Sequence, residues 1–375
     1  MSKLAQTGTS IFSVMTAMAA RHDAINLSQG FPNFPVDNRL TDILQQIAKD
    51  RVHQYVPVAG YPPLLEKIST LITRVYGRPV DVTNELLITA GATQGIYTII
   101  QALTKSGDEV VMLDPCYDSY EPSVILAGAT PVHVPLNDAY TPDWDRIARA
   151  MNDRTRLLIV NNPHNPSGRI LSEQDFLALE QLLARFPRVV LLSDEVYEFI
   201  TFEQPHISAH TRQSLRDRTV VVSSFGKTFH ITGWKVGYAV APAALMHEIK
   251  KVHQFTVFCV NSVAQATLSE YLGQVDVTLL GGFYQQKRDL FCDLIKSSRL
   301  ELLPCEGSYF QVAHYGAIST EKDVDFCQRL VIEHGVAAIP LSVFHADGRD
   351  RQMIRFCFAK DPDTLHQAAE RLCRI

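Results

Sequence analysis

Between residues 86 and 240 the chain repeats one rhythm: a short run of β-branched or aliphatic residues, a turn, then a stretch of helical period. The runs fall at 86–89, 110–113, 157–160, 189–192, 219–222 and 236–240. Most are continuously apolar rather than alternating, which predicts strands covered on both faces. Between them the period changes. After Thr93, for instance, Ile96, Ile99, Ile100 and Leu103 recur at helical spacing and define one face. Such alternation predicts an α/β fold with a largely parallel sheet flanked by helices. We expect a large unit over 46–275 and a smaller α/β unit built from both chain ends, 1–45 and 276–375.

Composition narrows the class. The 375 residues exceed the ~250–300 at which a single hydrophobic core stops growing. With 46% apolar and 20% charged residues, the chain has ample material for a core. Thirty-five Lys and Arg against forty Asp and Glu give a net charge of −5, and no basic run suits a polyanion. Apolar stretches are broken by charge well short of the ~18 residues needed to span a membrane. The seven cysteines are scattered without a Cys-x-x-Cys pair, which argues against a disulfide framework or a zinc site and for a reducing, cytoplasmic setting. Lys3 followed by the apolar stretch 11–20 has the outline of a short signal peptide, but Ser13 and Thr16 interrupt it. An N-terminal helix is the expectation.

Chemistry collects after the strands. Run 86–89 is followed by Gly91-Ala-Thr-Gln, run 110–113 by Asp114-Pro-Cys-Tyr, and run 157–160 by Asn161-Asn-Pro-His-Asn-Pro-Ser-Gly. Run 189–192 leads into Ser193-Asp-Glu-Val-Tyr and run 219–222 into Ser223-Ser-Phe-Gly-Lys. In an open parallel sheet the carboxyl ends of the strands share the edge where ligands bind. Five segments therefore deliver polar or aromatic groups to one crevice.

Those groups suit one kind of ligand. Ala92 and Thr93, behind Gly91 at a helix start, offer backbone N–H groups to a phosphate, and Ser224 and Lys235 add a hydroxyl and a cation. Asp194 can pair with a protonated ring nitrogen, Asn165 and Tyr197 can bond a phenolic oxygen, and Tyr117 can stack on a ring. Lys227 is an amine able to form a Schiff base once its pKa is lowered. Phosphate, aromatic cation, phenolate and lysine-reactive aldehyde together describe pyridoxal 5′-phosphate. No metal is expected.

The chain also resembles the class I, fold-type-I aminotransferases from about residue 25 to 359. The resemblance rests on Asn26-Leu-Ser-Gln-Gly-Phe-Pro, Gln54-Tyr-Val-Pro-Val-Ala-Gly-Tyr-Pro-Pro, the Asn161, Ser193 and Ser223 segments, Thr232-Gly-Trp-Lys-Val-Gly-Tyr and Ile354-Arg-Phe-Cys-Phe, in that order. Within the family it is most similar to the methionine aminotransferases and kynurenine–glutamine transaminases, through Gly60-Tyr-Pro-Pro and Ile339-Pro-Leu-Ser-Val-Phe. The resemblance implies that Lys227, Asp194 and Tyr197 are catalytic. It places Ala92, Thr93, Tyr117, Asn165, Ser224 and Lys235 on the cofactor and Arg355 on the substrate carboxylate. Tyr55 would reach the cofactor of a partner subunit, implying a homodimer with shared sites. Gly30, Phe31, Phe12, Tyr61, Phe258 and Phe344 would border, with Asn165, an apolar substrate pocket. The implied reaction is ping-pong transfer of an amino group from methionine, or from Phe, Tyr, Trp, Leu, Gln or kynurenine, to a 2-oxo acid. A β-lyase acting on cysteine S-conjugates is the alternative on the same fold. Lys235 departs from the arginine of many relatives, keeping the charge but losing the bidentate fork.

Plainer readings compete at single residues. Asp194 alone reads as a helix cap, Tyr197 and Tyr117 as core, and Asn165 as a turn former. Ser224-Phe-Gly-Lys fits the Ser-x-x-Lys nucleophile pattern, but its companion motifs are missing from the chain. His206 and His210 have metal spacing yet read as loop histidines beside Pro205. Arg355 resists the plain reading, because a charge on a buried strand needs a partner, either an internal acid or a ligand.

Overall fold

The computed structural model describes residues 2–5, 7–50 and 52–375. Seven strands form the central sheet: β1 (Leu86–Thr89), β2 (Glu109–Asp114), β3 (Thr130–Pro135), β4 (Thr155–Asn161), β5 (Val190–Asp194), β6 (Thr219–Ser224) and β7 (Gly237–Val240). Their order in space is β1-β7-β6-β5-β4-β2-β3. Pairing is parallel from β3 through β6, and β7 runs antiparallel to both its neighbours. The carboxyl ends of β1, β2, β4, β5 and β6 therefore share one edge with the amino end of β7.

The continuous apolar runs have the expected cause. Along β2, Met112 packs with Ile96, Ile99 and Met246 on one face, while Val111 and Leu113 pack with Phe176 and Leu179 on the other. Period-two side chains thus meet a core on both sides. The edge strand β3 escaped the sequence pattern because two prolines and a histidine break it and only Val134 is buried.

A second, four-stranded antiparallel sheet joins Ile339–Pro340, Met353–Cys357, Phe310–His314 and Glu301–Leu302 in that order. The chain start meets it: Ile25–Asn26 pairs with Val336–Ala337, and Met15 and Ala19 of helix Ile11–Arg21 are buried with Phe326, Leu330 and Val336. Helix Asn38–Ile47, expected with this smaller unit, leans on the larger one. Leu40 is buried among Leu64, Ile68 and Leu268, and the Tyr271 hydroxyl donates to Asp37 Oδ2 at 2.9 Å. Among the described residues no helix is long and apolar enough to cross a membrane, and all seven cysteines are free.

Candidate active site

A cavity of about 260 Å³ opens at the shared strand edge and is walled on its other side by the smaller sheet. It brings together Phe12, Gly30, Phe31, Ala92, Thr93, Tyr117, Asn165, Asp194, Tyr197, Ser224, Lys227, Lys235 and Arg355. At its floor, helix Ala92–Leu103 starts from Gly91, whose φ of +78° favours glycine. A Cβ on Gly91 would lie 3.2 Å from Lys235 Nζ. The lysine ammonium, the unpaired N–H groups of the helix start and the Ser224 hydroxyl thus face one spot suited to an anion. Lys235 reaches that spot because β7 runs antiparallel and begins at the edge where the other strands end.

Asp194 closes β5 and is 4% exposed. Its Oδ2 accepts a 2.5 Å hydrogen bond from the Tyr120 hydroxyl, and its Oδ1 accepts the Val196 N–H at 3.3 Å. Burial pushes its pKa up to about 6, against these bonds and the Lys227 charge, which pull it down. Lys227 lies in the short helix Phe225–Thr228 that follows β6, with Nζ 5.7 Å from the ring centres of both Tyr197 and Tyr309. Burial first, then the positive charges of Lys235 and Arg355, lower its pKa to about 8, while Asp194 opposes the shift. Burial likewise holds the Tyr197 phenol well above the ordinary tyrosine range, so it is a donor at neutral pH. Tyr117 borders the cavity, its hydroxyl 3.3 Å from Thr93 Oγ1.

Arg355 is fully buried on strand Met353–Cys357. Its Nη1 donates to Asn165 Oδ1 at 2.6 Å and its Nη2 to the Ser28 carbonyl at 3.2 Å, while Nε is unpartnered. Among the described residues no carboxylate pairs with it within 4.0 Å. Burial lowers its pKa to about 10, so it stays charged at neutral pH. A buried cation with idle donors in a cavity wall is a receptor for an anionic ligand.

Four expected site residues, the cofactor contact Tyr55 and the pocket residues Tyr61, Phe258 and Phe344, lie apart from the cavity lining in the single chain. Tyr55 is 82% exposed and packs edge-on against Phe258, itself 47% exposed, at 5.1 Å. Tyr61 is half-buried in the large core, its N–H donating to Gln265 Oε1 at 2.8 Å. Phe344 is buried behind Arg355, its ring centre 5.3 Å from Cζ. Of the two histidines, His206 lies in a loop and is half-buried, its Nε2 2.8 Å from Glu195 Oε2, while His210 is buried in the turn Ala209–Thr211, its Nδ1 2.8 Å from Arg78 Nη1. Asp114, Cys116 and His133 hold donor atoms within 4.8 Å of one another, but the His133 ring is hydrogen-bonded to Asp114 Oδ1 at 2.8 Å and Asp114 Oδ2 accepts the Ala346 N–H. Sequence reasoning missed Tyr120, Asn161 and Phe310. Asn161 stood in a quoted motif without a role, Tyr120 lies three residues past the aromatic already chosen, and Phe310 reads as an ordinary strand residue.

Fold, strand-edge cavity and the shared lining by Asp194 and Lys227 agree with the family comparison: the chain belongs to the class I and II aminotransferases, whose family model matches residues 22–372. The methionine aminotransferase of Escherichia coli is 48% identical over 378 residues, covering 100% of this chain and 98% of that protein. The solved N-succinyldiaminopimelate aminotransferase of Mycobacterium tuberculosis is 34% identical, with a TM-score of 0.95 over 100% of this chain and 99% of that one. Kynurenine–oxoglutarate transaminase 1 of Rattus norvegicus is 32% identical over 393 residues, covering 95% of this chain and 93% of that protein.

Proposed function

We propose that this enzyme uses pyridoxal 5′-phosphate to move the amino group of an apolar or aromatic L-amino acid, methionine foremost, onto a 2-oxo acid. The observation that carries the reading is Arg355, a buried guanidinium with no internal carboxylate partner and with N–H donors left for a ligand. The residues present fit the cofactor. An anion seat at Gly91, Ser224 and Lys235, a buried acid at Asp194 and an amine with pKa near 8 at Lys227 line the same cavity.

When bound, the cofactor supplies an aldehyde carbon for the amine and a ring that draws electrons from it. The chain's own groups do the rest. The helix start at Ala92 and Thr93, with Ser224 and Lys235, holds the phosphate. Asp194 presents a carboxylate to the ring nitrogen, and Tyr120, bonded to that carboxylate, fixes its orientation. Asn165 spends its carbonyl on Arg355, which leaves its NH₂, together with the Tyr197 O–H, to donate to the phenolic oxygen. Arg355 grips the substrate carboxylate. Lys227, with a pKa close to the working pH, both accepts and returns a proton, as a general base moving it away from Cα must.

Substrate class follows from what lines the remaining wall. Phe12, Phe31, Ile96, Val196 and Phe310 are apolar, and the three lining cations, Lys227, Lys235 and Arg355, are already assigned. Among the described residues no lining cation is left for a side-chain carboxylate, so an apolar side chain fits best. Tyr55 and Phe258, exposed in the single chain, are read as reaching a partner's site in a homodimer. Steady-state assays with methionine, phenylalanine, glutamine, aspartate and glutamate against several 2-oxo acids test the assignment. Methionine is expected to lead, and a marked preference for aspartate would overturn it.

A further inference from the structure

We propose that Phe310 is a positioning residue for substrate capture: its ring is the platform that keeps the Arg355 guanidinium flat and aimed at the incoming carboxylate. The proposal rests on the reading of Arg355 given above.

Register puts the two side chains together. Phe310 pairs with Cys357 and Val312 with Arg355 across antiparallel strands, so Phe310 and Arg355 are diagonal neighbours on one face of the sheet. Arg355 Cζ stands over the Phe310 ring, 3.8 Å from its centre, against 5.3 Å for Phe12 and for Phe344. A fully buried cation needs negative potential around it. An internal aspartate would supply that potential but would occupy the in-plane N–H donors that the substrate has to use. An aromatic face supplies it from the perpendicular direction and leaves those donors free. The unpartnered Nε and the two neutral acceptors on Nη1 and Nη2 are what this arrangement requires.

The platform is itself clamped. A Cβ on Gly30 would lie 2.7 Å from Phe310 Cζ and 3.0 Å from Cε1, so the bare glycine is what lets the ring occupy its place. The Tyr309 hydroxyl donates to the Gly30 carbonyl at 2.8 Å, tying that segment to the strand carrying the ring. Gly30 then serves the substrate through Phe310, by clearance.

The test uses the holoenzyme and an unreactive monocarboxylate, 3-phenylpropionate, as probe. Phe310→Leu keeps apolar bulk and removes the π face. It should weaken calorimetric binding of the probe about thirtyfold, as expected for a desolvated cation–π contact. KM for methionine should rise similarly, with kcat within about twofold of the unmodified enzyme. Gly30→Ala, which pushes the ring aside, should reproduce the defect, yet add little in a Phe310→Leu background. Unchanged probe affinity in Phe310→Leu or in Gly30→Ala would sink the platform; so would a fall in kcat without a change in affinity. Arg355→Met separates the two claims: probe binding that survives it removes the carboxylate reading itself. Binding lost there but intact in Phe310→Leu removes the platform alone.

Discussion

Burial acts in opposite directions on the two groups the chemistry needs. It raises Asp194 to about 6 and lowers Lys227 to about 8, in each case favouring the uncharged form. Lys227→Ala should cut turnover by at least about a thousandfold, as measured in single-turnover assays, since both the amine for the aldehyde and the proton carrier disappear. Stability of the cofactor-free protein should carry the same signature. Between pH 3.8 and about 6 the native state holds a proton on Asp194 that the unfolded chain has released. This contribution to stability is therefore full at the acid end and is lost as pH rises through that window. For Lys227 the sign reverses: the native state binds fewer protons between about 8 and 10.5, so its contribution grows as pH rises there. Thermal scans of Asp194→Asn against the unmodified protein should show a flatter dependence over the acid window; parallel curves would contradict the assignment. At this scale the sequence showed Asp194, Lys227 and Arg355, because each is a polar group at an anomalous place in an apolar pattern. It concealed Tyr120 and Phe310, which look like any core aromatic until the sheet register brings them onto a charged neighbour.

Elements set how finely these groups are placed. Where β6, β7 and the helix start of the anion seat converge, Gly237 leaves no room: a Cβ there would lie 2.7 Å from the Ser223 carbonyl oxygen and 3.1 Å from the Ala92 nitrogen. Gly237→Ala should destabilise the protein by about 1–3 kcal/mol, the usual cost of overpacking, and should also raise the dissociation constant for inorganic phosphate, because the displaced atom is a donor of the seat. Ser172→Ala makes the control. Ser172 and Asp175 form a capping box on helix Glu173–Arg185, away from the cavity. Losing the cap should cost about 1 kcal/mol in thermal or denaturant melts and leave phosphate affinity untouched. Strands buried on both faces were legible from their apolar runs. The edge strand β3 was not, since an edge tolerates the prolines and half-exposed side chains that erase the signal. Helix Asn38–Ile47 straddles the boundary expected at 45/46 and packs on helix Ser262–Leu272, over two hundred residues away, a distance no local pattern reports.

At the scale of the whole molecule, the cavity gathers groups from both sheets, but the exposed aromatic pair Tyr55 and Phe258 sits outside it, with Phe255 nearby in the chain and 85% exposed. Large aromatic side chains left bare on a surface mark a place where another surface belongs. On the proposed homodimer, each site takes Lys227 from one chain and Tyr55 from the other, and that division can be read out by mixing. A Lys227→Ala protein should be inactive, and a Tyr55→Phe protein should need more added cofactor for activity because it would lack one hydroxyl to the phosphate. Unfolded together and refolded as mixed dimers, the two should form one site in which both residues are intact and one in which both are altered. At cofactor concentrations too low for Tyr55→Phe alone, the mixture should then recover activity, up to about a quarter of that of the unmodified enzyme for random pairing in equal amounts. The figure follows because half the dimers are mixed and each carries one intact site of two. Activity no greater than the sum of the separate proteins would mean that Tyr55 serves the site of its own chain or none.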